Sequence, residues 1–507
     1  MTRGTIYTAL VPLIANTGYT FTGVGSAAIN GYNAIISDNN GSSILIVYTF
    51  AATLTKTIID ISVSSQPDTF EYTHGEALDL TGRNILPDKF AGICGLLPPI
   101  AISFHSFTKI NFFLILCIMA KAILIKGKQK RALSGHPWIF RSEIAKVTGK
   151  HTPGEVVDVV ADNGQFLAKA MYNPLSQIAL RILTWKDEQI DENFIRSRVQ
   201  RALAFRKNFA DLKSCRLIFA ESDGLPAFIA DSFGDIIVIQ SLALGIEPFK
   251  QTIADALCEE LHPAGVWERN DVPVRELEGL TLQTGLLRGD VPDKVEFFEN
   301  GLRFLVDVKQ GQKTGYFLDQ KENRAAIAPF VKDARVLDCF THTGSFALHA
   351  AKYGATNVTG VDVSDYACKV AAENGALNNL NIEWKEANVF DLLRKEQDAG
   401  NVYDAIILDP PAFTKSRSAA DNALRGYKEI NLRAMKLIKD GGYLITCSCS
   451  HHVLPEAFSS MLAAAARDVH CRLRQIEART QSRDHPILVA SPETQYLKCF
   501  ILQVLKS

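Results

Sequence analysis

The chain lacks several features that would assign it to a specialised class of protein. Its ten cysteines, spread over 507 residues, show no Cys-x-x-Cys pair and no regular spacing. This argues against a disulfide framework and a structural zinc site, so we expect no metal and a reducing compartment. No signal-peptide pattern stands at the N-terminus, and the most apolar stretch, residues 111–119, is shorter than the roughly 20 residues that span a bilayer. We expect a cytoplasmic protein with no membrane partner.

The first 118 residues are poor in charge, with only twelve Asp, Glu, Lys and Arg residues. They are rich in Thr, Ser, Gly and β-branched residues, which is typical of short strands and turns. From Met119 onward the composition changes, and Met119–Gly127 resembles the start of a cytosolic protein. We predict that residues 1–118 are an atypical β-rich or disordered extension, either a fusion or an over-extended reading frame. A genuine accessory β-domain is the alternative.

Residues 119–190 form the next predicted unit, a small β-domain. The net charge of the whole chain is −1, so nucleic-acid binding requires a local basic patch. Residues 120–150 supply one, with eight Lys or Arg against a single acid, Glu143, and with aromatic residues interleaved. Such a surface suits RNA, although a solvated basic face beside an ordinary core fits the composition equally well. The candidate RNA-binding residues are Lys126, Lys128, Lys130, Arg131, His136, Trp138 and Arg141.

The remaining two units differ in the order of their predicted elements. Residues 191–310 begin with a helix by apolar period over 191–209 and continue through turns and short strands, which predicts an α+β middle domain. Residues 311–507 alternate strands and helices from Ala334 onward, which predicts a doubly wound parallel sheet with a Rossmann-like fold. Ligands of such sheets bind beyond the carboxyl ends of the strands.

Polar residues follow each predicted strand of this last unit. Asp338 ends the first strand, and Gly344 allows the loop to approach a ligand before the next helix begins. Asp362 ends the second strand, where a carboxylate can accept both ribose hydroxyls of a nucleoside cofactor; a helix N-cap is the alternative role, which Ser364 could fill instead. Asn388 follows the third strand, where its amide can meet an adenine edge.

Two further strands end in residues suited to chemistry on a planar base. The fourth is followed by Asp409-Pro-Pro-Ala-Phe413, a carboxylate held rigid by two prolines. The fifth is followed by Cys449, whose thiolate can add to C6 of a pyrimidine and activate C5. We expect Cys339, Cys368 and Cys447 to be buried apolar residues instead.

Together these motifs resemble a known family, the bacterial class I methyltransferases that form 5-methylcytosine in 23S ribosomal RNA and carry an N-terminal PUA domain. The resemblance runs from about Met119 to the C-terminus. It includes the segments Ser134–Phe140, Ser222–Pro226, Gly315–Arg324, Asp409–Phe413, Thr446–Ser450 and Asp484–Pro486.

The resemblance implies roles for individual residues. It implies S-adenosylmethionine as the cofactor, a β-barrel PUA-like domain at residues 119–190, Cys449 and Asp409 as catalytic residues, and 23S ribosomal RNA or a precursor of the large subunit as the partner. Arg324 would support a lid over the cofactor. The resemblance leaves open whether the protein forms a homodimer. The implied cofactor-binding residues are Asp338, Thr343, Gly344, Asp362, Asn388, Asp409, Phe317, Asp319 and Gln320.

Two other functions remain as alternatives. An Asp-Pro-Pro loop also suits an N-methyltransferase that holds an exocyclic amine or an amide without a nucleophile. A non-catalytic RNA-binding assembly protein with a relict fold is the second alternative, and the intact cofactor loop argues against it.

Overall fold

The structure is a computed structural model, and it describes residues 120–414 and 419–506 together with the backbone of seven strands between residues 6 and 113. Those seven strands form one sheet in the order β1-β4-β3-β2-β5-β6-β7. Strand β6 pairs parallel with β5, and the other recorded neighbours pair antiparallel. The strands are β1 (Ile6–Ile14), β2 (Val24–Ile29), β3 (Tyr32–Asn39), β4 (Ser43–Ala51), β5 (Ile59–Ser65), β6 (Ala101–Ser103) and β7 (Phe112–Phe113).

A six-stranded sheet follows in the order β10-β8-β11-β12-β13-β9. Its strands are rich in Val, Ile and Ala, and the central pair, β11 and β12, buries most of its residues, Val157, Val159 and Ala168 among them. The elements are β8 (Lys121–Leu124), α1 (Lys130–Leu133), β9 (Trp138–Ile139), β10 (Ile144–Thr148), β11 (Val156–Val160), β12 (Phe166–Tyr172) and β13 (Leu180–Thr184).

The next unit is an α+β module whose five strands are ordered β14-β15-β16-β17-β18. Asp191 begins its first helix, because its side chain accepts a hydrogen bond from Phe194 N at 2.8 Å and caps the free amide. The elements are α2 (Glu192–Lys207), β14 (Ser214–Phe219), β15 (Phe228–Phe233), β16 (Ile236–Ser241), α3 (Lys250–Leu261), β17 (Gly265–Asn270), α4 (Val274–Leu277) and β18 (Gln283–Gly289).

A hairpin then leads into the largest sheet. Its strands β19 (Val295–Glu299) and β20 (Leu302–Val306) alternate buried and exposed residues, and their buried faces join the core cluster that also contains Val336 and Leu348. The helices and strands that follow are α5 (Lys321–Ala326), α6 (Ala328–Val331), β21 (Arg335–Cys339), α7 (Ser345–Lys352), β22 (Asn357–Asp362), α8 (Asp365–Leu377), β23 (Glu383–Glu386), α9 (Val389–Asp398), β24 (Tyr403–Leu408), α10 (Ala420–Leu437), β25 (Ile438–Ser448), α11 (Pro455–Asp468), β26 (Cys471–Arg479) and β27 (Lys498–Lys506).

This sheet has the order β23-β22-β21-β24-β25-β27-β26. Its first five strands are parallel, and β27 pairs antiparallel with both of its neighbours. Successive residues of the central strands enter different cores, as Val336 and Leu337 do, because helices cover both faces. The predicted Rossmann-like α/β fold is confirmed. The strands β22 and β23 are added on one side of β21, and β24 and β25 are added on its other side. Folds of this kind bind ligands where the strand order switches in this way, here between β21 and β24. No helix among the described residues is long and apolar enough to cross a membrane.

Candidate active site

The carboxyl ends of β21, β22, β24 and β25 lie at one edge of the parallel sheet, and each has a predicted site residue in its last two positions or directly after it. Asp338 lies within the end of β21 and is fully buried. Its Oδ2 accepts hydrogen bonds from Thr341 Oγ1 and from Ala347 N at 2.9 Å, while its Oδ1 is buried without a partner in the described structure. Burial raises the pKa of this carboxyl to about 7, and the nearby Asp409 and Asp362 add to the rise.

The loop after Asp338 has a backbone conformation that brings it close to neighbouring side chains. Gly344 has a φ of +87°, and a Cβ atom at this position would lie 2.6 Å from the ring of Trp384 and 3.1 Å from Ala371 Cβ. Only glycine fits there without displacing its neighbours. Thr343 is buried beside it, and its carbonyl accepts a hydrogen bond from Asn374 Nδ2.

Asp362 is not the cap of the helix that follows it. Ser364 caps α8 by accepting a hydrogen bond from Ala367 N. Asp362 instead accepts from His342 N at 2.9 Å and from Ser364 N at 3.0 Å, which fixes its carboxylate at the edge of the loop. Asn388 does cap α9 through its side-chain oxygen, which accepts from Phe390 N, and the residue is exposed. The cap engages the carbonyl oxygen, so the NH2 group is a separate donor pair for a ligand.

The segment before α5 closes over the same edge. Gln320 Nε2 donates to Asp409 Oδ1 at 2.8 Å, and the ring of Phe317 meets that of His342 edge-on at 5.1 Å. Asp319 is buried, accepts from Tyr496 OH at 2.5 Å, and keeps its Oδ1 without a partner in the described structure.

Electrostatics keep Asp319 ionised although it is buried. Burial acts to raise the pKa of this carboxyl, but Lys313, His485, the Tyr496 hydrogen bond and Arg216 together hold it below its usual value. The buried carboxylate oxygens without partners in the described structure, on Asp338 and Asp319, can accept from a ligand donor or from water.

A buried ion pair supports the segment before α5, residues 317–320, which is called the lid below. Arg324 Nε donates to Glu299 Oε1 at 2.5 Å, and Arg324 Nη2 donates to the carbonyl of Phe317 at 2.9 Å. Tyr316 OH also donates to Glu299. Sequence reasoning assigned Arg324 to the lid but missed Glu299, which sits in a hairpin that carries no motif.

The loops that follow β24 and β25 contact each other. Cys449 is partly exposed, and its Sγ lies 3.8 Å from the carbonyl oxygen of Pro410. The next residue, Ser450, accepts a hydrogen bond from Phe413 N at 3.1 Å and contacts Tyr427 OH at 2.9 Å. The sulfur therefore faces the Asp-Pro-Pro loop. Cys339, Cys368 and Cys447 are buried, as expected from the sequence.

Four charged side chains act on the Cys449 thiol. Burial raises its pKa to about 11; Lys313 and Lys498 oppose this rise, and Asp409 and Asp319 add to it. Burial also raises the pKa of Asp409 to about 7, with Asp319 adding to the rise and the Gln320 hydrogen bond opposing it. Sequence reasoning missed both lysines, because Lys313 precedes the sheet and Lys498 begins an antiparallel strand.

The predicted RNA-binding residues differ in their exposure and contacts. Lys126, Lys128 and Lys130 are exposed, and Arg131 is half-buried. Arg141 is exposed and donates to the carbonyls of Leu175 and Ser176.

Two members of that predicted set face the rest of the protein. His136 is only 6% exposed, and its Nε2 lies 3.1 Å from Glu493 Oε2, whereas Trp138 Nε1 donates to Glu221 at 2.8 Å. These two residues join the small β-domain to the middle and C-terminal domains. Their role in RNA binding stays a prediction.

Comparisons with known proteins agree with this architecture. A family model for a PUA-like domain matches residues 122–185, and one for an S-adenosylmethionine-dependent methyltransferase matches residues 283–486. A ribosomal RNA large subunit methyltransferase I of Shewanella frigidimarina is 44% identical over 396 residues, which covers 76% of this chain and 100% of that protein. The Vibrio parahaemolyticus protein of the same name is 42% identical over 395 residues, with the same two coverages.

Solved structures share the fold. One from Streptococcus mutans, assigned to the SAM-dependent methyltransferases, matches 76% of this chain and 99% of its own at 20% identity, with a TM-score of 0.66. Another, assigned as a methyltransferase and complexed with SAH, matches over the same shares at 20% identity with a TM-score of 0.67. At this level of identity these structures support the fold alone.

The sheet, its glycine loop and its edge of carboxylates define an S-adenosylmethionine-dependent methyltransferase preceded by a PUA-like domain. On its identity to relatives matched over their full length, the chain belongs to the ribosomal RNA large subunit methyltransferase I family.

Proposed function

We propose that this protein methylates C5 of a cytosine in 23S ribosomal RNA, with Cys449 as the nucleophile. The observation that carries the proposal is the contact between Cys449 Sγ and the Pro410 carbonyl, because it places a thiol against a rigid loop suited to a planar base. The thiolate adds to C6 of the ring, which makes C5 nucleophilic, and the C6–S bond breaks after the C5 proton has left.

The residues present fit the cofactor. The unpartnered Oδ1 of Asp338 can accept from the ammonium group of the methionine part, and Asp362 can accept from the ribose hydroxyls. Gly344 leaves room for the loop to approach, and Asn388 supplies an amide for the adenine edge. When bound, S-adenosylmethionine supplies an electrophilic methyl group. In this proposal the lid residues Phe317, Asp319 and Gln320 cover the cofactor and exclude water from it. Asp409 holds the edge of the base.

The nucleophile is tested by Cys449→Ser, with Cys447→Ser as the matched control two residues earlier. We expect Cys449→Ser to abolish methyl transfer to 23S ribosomal RNA while binding of S-adenosylmethionine, measured by calorimetry, is retained. Methylation that persists in Cys449→Ser would favour an N-methyltransferase. Absence of cofactor binding in the wild type would favour a non-catalytic RNA-binding protein. Bisulfite sequencing of ribosomal RNA from a deletion strain then locates the cytosine.

Lys126, Lys128 and Lys130 form the RNA-contacting part of the PUA-like domain in this proposal. Their exposure supports it, since lysines that pair with phosphates must be free to reach them. Changing all three to Ala should weaken RNA binding and reduce the slope of log affinity against log salt by about 2. Changing the exposed helix lysines Lys207, Lys395 and Lys436 to Ala is the control for charge alone.

We further propose that residues 1–118 are dispensable for this activity. Both family models match later parts of the chain, residues 122–185 and 283–486, and the Shewanella frigidimarina relative covers 76% of the chain and 100% of its own length, which supports this boundary. A protein that starts at Met119 should methylate RNA at the rate of the full chain. Abundant peptides from residues 1–118 in the native protein would instead support an accessory domain.

A further inference from the structure

The Cys449 thiol must lose a proton before it can attack, and burial works against that loss. Burial raises the pKa of the thiol to about 11, so a thiolate is scarce at neutral pH without a proton acceptor. A base beside the sulfur would remove this obstacle.

Lys498 is held at the residue that follows this sulfur in the chain. It begins β27, lies opposite Ser448 in the antiparallel register with β25, and is only 5% exposed. Its Nζ donates to the carbonyls of Ser450 and Tyr496, each at 2.8 Å, so the amine is fixed at the residue that follows Cys449.

These two hydrogen bonds suit both protonation states of the lysine. A neutral amine has two hydrogens, which the two carbonyls accept, and it retains a lone pair. An ammonium group has a third hydrogen, which a thiolate can accept.

Burial lowers the pKa of Lys498 to about 8, and Cys449 opposes the fall, so a substantial fraction of the amine is neutral near pH 7.5. Other ionisable groups act on this pair. Lys313, Asp319 and Asp409 act on the Cys449 thiol, while Tyr427 and His451 have pKa values that respond to Cys449 and Lys498 respectively.

We propose that Lys498 is the general base that takes the proton of Cys449. The S–H bond breaks, the proton joins the lone pair of Nζ, and the sulfur, now a thiolate, adds to C6 of the cytosine. The C5 proton leaves to water at a later step. When the C6–S bond breaks, the departing thiolate takes its proton back from the ammonium group of Lys498. This inference rests on Cys449 as the nucleophile of the proposed function.

Two substitutions separate a base from a structural support. Lys498→Met removes the base, and Lys498→Arg keeps a charged donor for the two carbonyls but has no lone pair at accessible pH. We expect both to slow single-turnover methylation at pH 7.5 by about 100-fold or more, as loss of a general base does. Binding of S-adenosylmethionine, measured by calorimetry, should stay within about threefold and shows that each variant is folded. Lys506→Met, on an exposed lysine of the same strand, should leave the rate unchanged.

The pH profile of the wild type tests the proposal without a variant. The rate should rise as the pH passes the pKa of Lys498, about 8, and then level, because the neutral amine is the active form. A full rate in Lys498→Arg, or a flat profile between pH 6.5 and 9.5, would overturn the proposal. If Cys449→Ser still methylates, the proposed function itself fails; if Cys449→Ser is inactive while Lys498→Met is active, only the role of Lys498 fails.

Discussion

Gln320 donates a hydrogen bond from Nε2 to Oδ1 of Asp409 at 2.8 Å and thereby joins the segment before the sheet to the loop after β24. Its own Oε1 accepts from Asn323 Nδ2 at 2.6 Å, so the amide is fixed in one orientation. The segment before α5 and the loop after β24 are therefore coupled through one side chain.

Replacing Gln320 by Ala should raise the pKa of Asp409 further above 7, because the lost hydrogen bond favours the carboxylate. The inflection that Asp409 contributes to the pH profile of methylation, below the one from Lys498, should move upward by about one unit. Gln475→Ala, on an exposed position of β26, is the control and should leave the profile in place. An unchanged profile in Gln320→Ala would remove Asp409 from the titrating groups of the reaction.

Gly344→Ala should destabilise the protein and weaken cofactor binding. The added Cβ would meet the Trp384 ring at 2.6 Å, and the backbone φ is +87°. We expect a loss of about 2–4 kcal/mol in the free energy of unfolding, since overpacking adds to the strain. Gly400→Ala is matched for backbone, with a φ of +69° and open space around its Cβ position, and should cost only about 1 kcal/mol. Equal losses in a denaturant titration would show that packing against Trp384 is unimportant.

Arg324→Met should destabilise the protein by about 3–5 kcal/mol, because it leaves Glu299 as a buried charge without its partner. Adding Glu299→Leu should recover much of that loss in the double variant, although the lid loses its support at the Phe317 carbonyl. The exposed pair of Arg303 and Glu296 provides the control, and Arg303→Met should cost less than about 1 kcal/mol. Chemical denaturation of the four proteins gives the comparison, and similar losses for Arg324→Met and Arg303→Met would contradict it.

Asp338→Asn should become progressively more stabilising as the pH rises. Burial raises the folded-state pKa of Asp338 to about 7, above its unfolded value near 4. Between these two pKa values the folded state binds one proton more than the unfolded state does. The wild type therefore loses stability by up to about 1.4 kcal/mol per pH unit as the pH rises, whereas the Asn variant has no carboxyl at this position and does not. The difference in unfolding free energy between the two proteins should therefore grow from pH 4 to pH 7. A difference that is constant with pH would show that Asp338 is ionised in the folded state.

The parts of the site that follow strands could be predicted from the sequence. Asp338, Gly344, Asp409 and Cys449 lie at or after the carboxyl end of a buried strand, and parallel strands bring their carboxyl ends to one edge. The alternation of helices and strands is a local signal, so the Rossmann-like sheet was predictable.

The remaining parts depend on long-range contacts that leave no local signal. Lys498 reaches Ser450, the residue after Cys449, because β27 pairs antiparallel with β25, and Glu299 reaches Arg324 because a hairpin packs on the sheet. Composition also could not tell which residues of a basic segment face inward. His136 and Trp138 lie among lysines in the chain but point to Glu493 and Glu221.

The contacts of His136 with Glu493 and of Trp138 with Glu221 have a consequence for the choice of target. They tie the PUA-like domain to the part of the chain that carries Cys449. Under the proposed function, an RNA held by that domain would bring to the thiol only a cytosine at a matching distance along the folded RNA, so neighbouring cytosines of identical chemistry would be left unmodified.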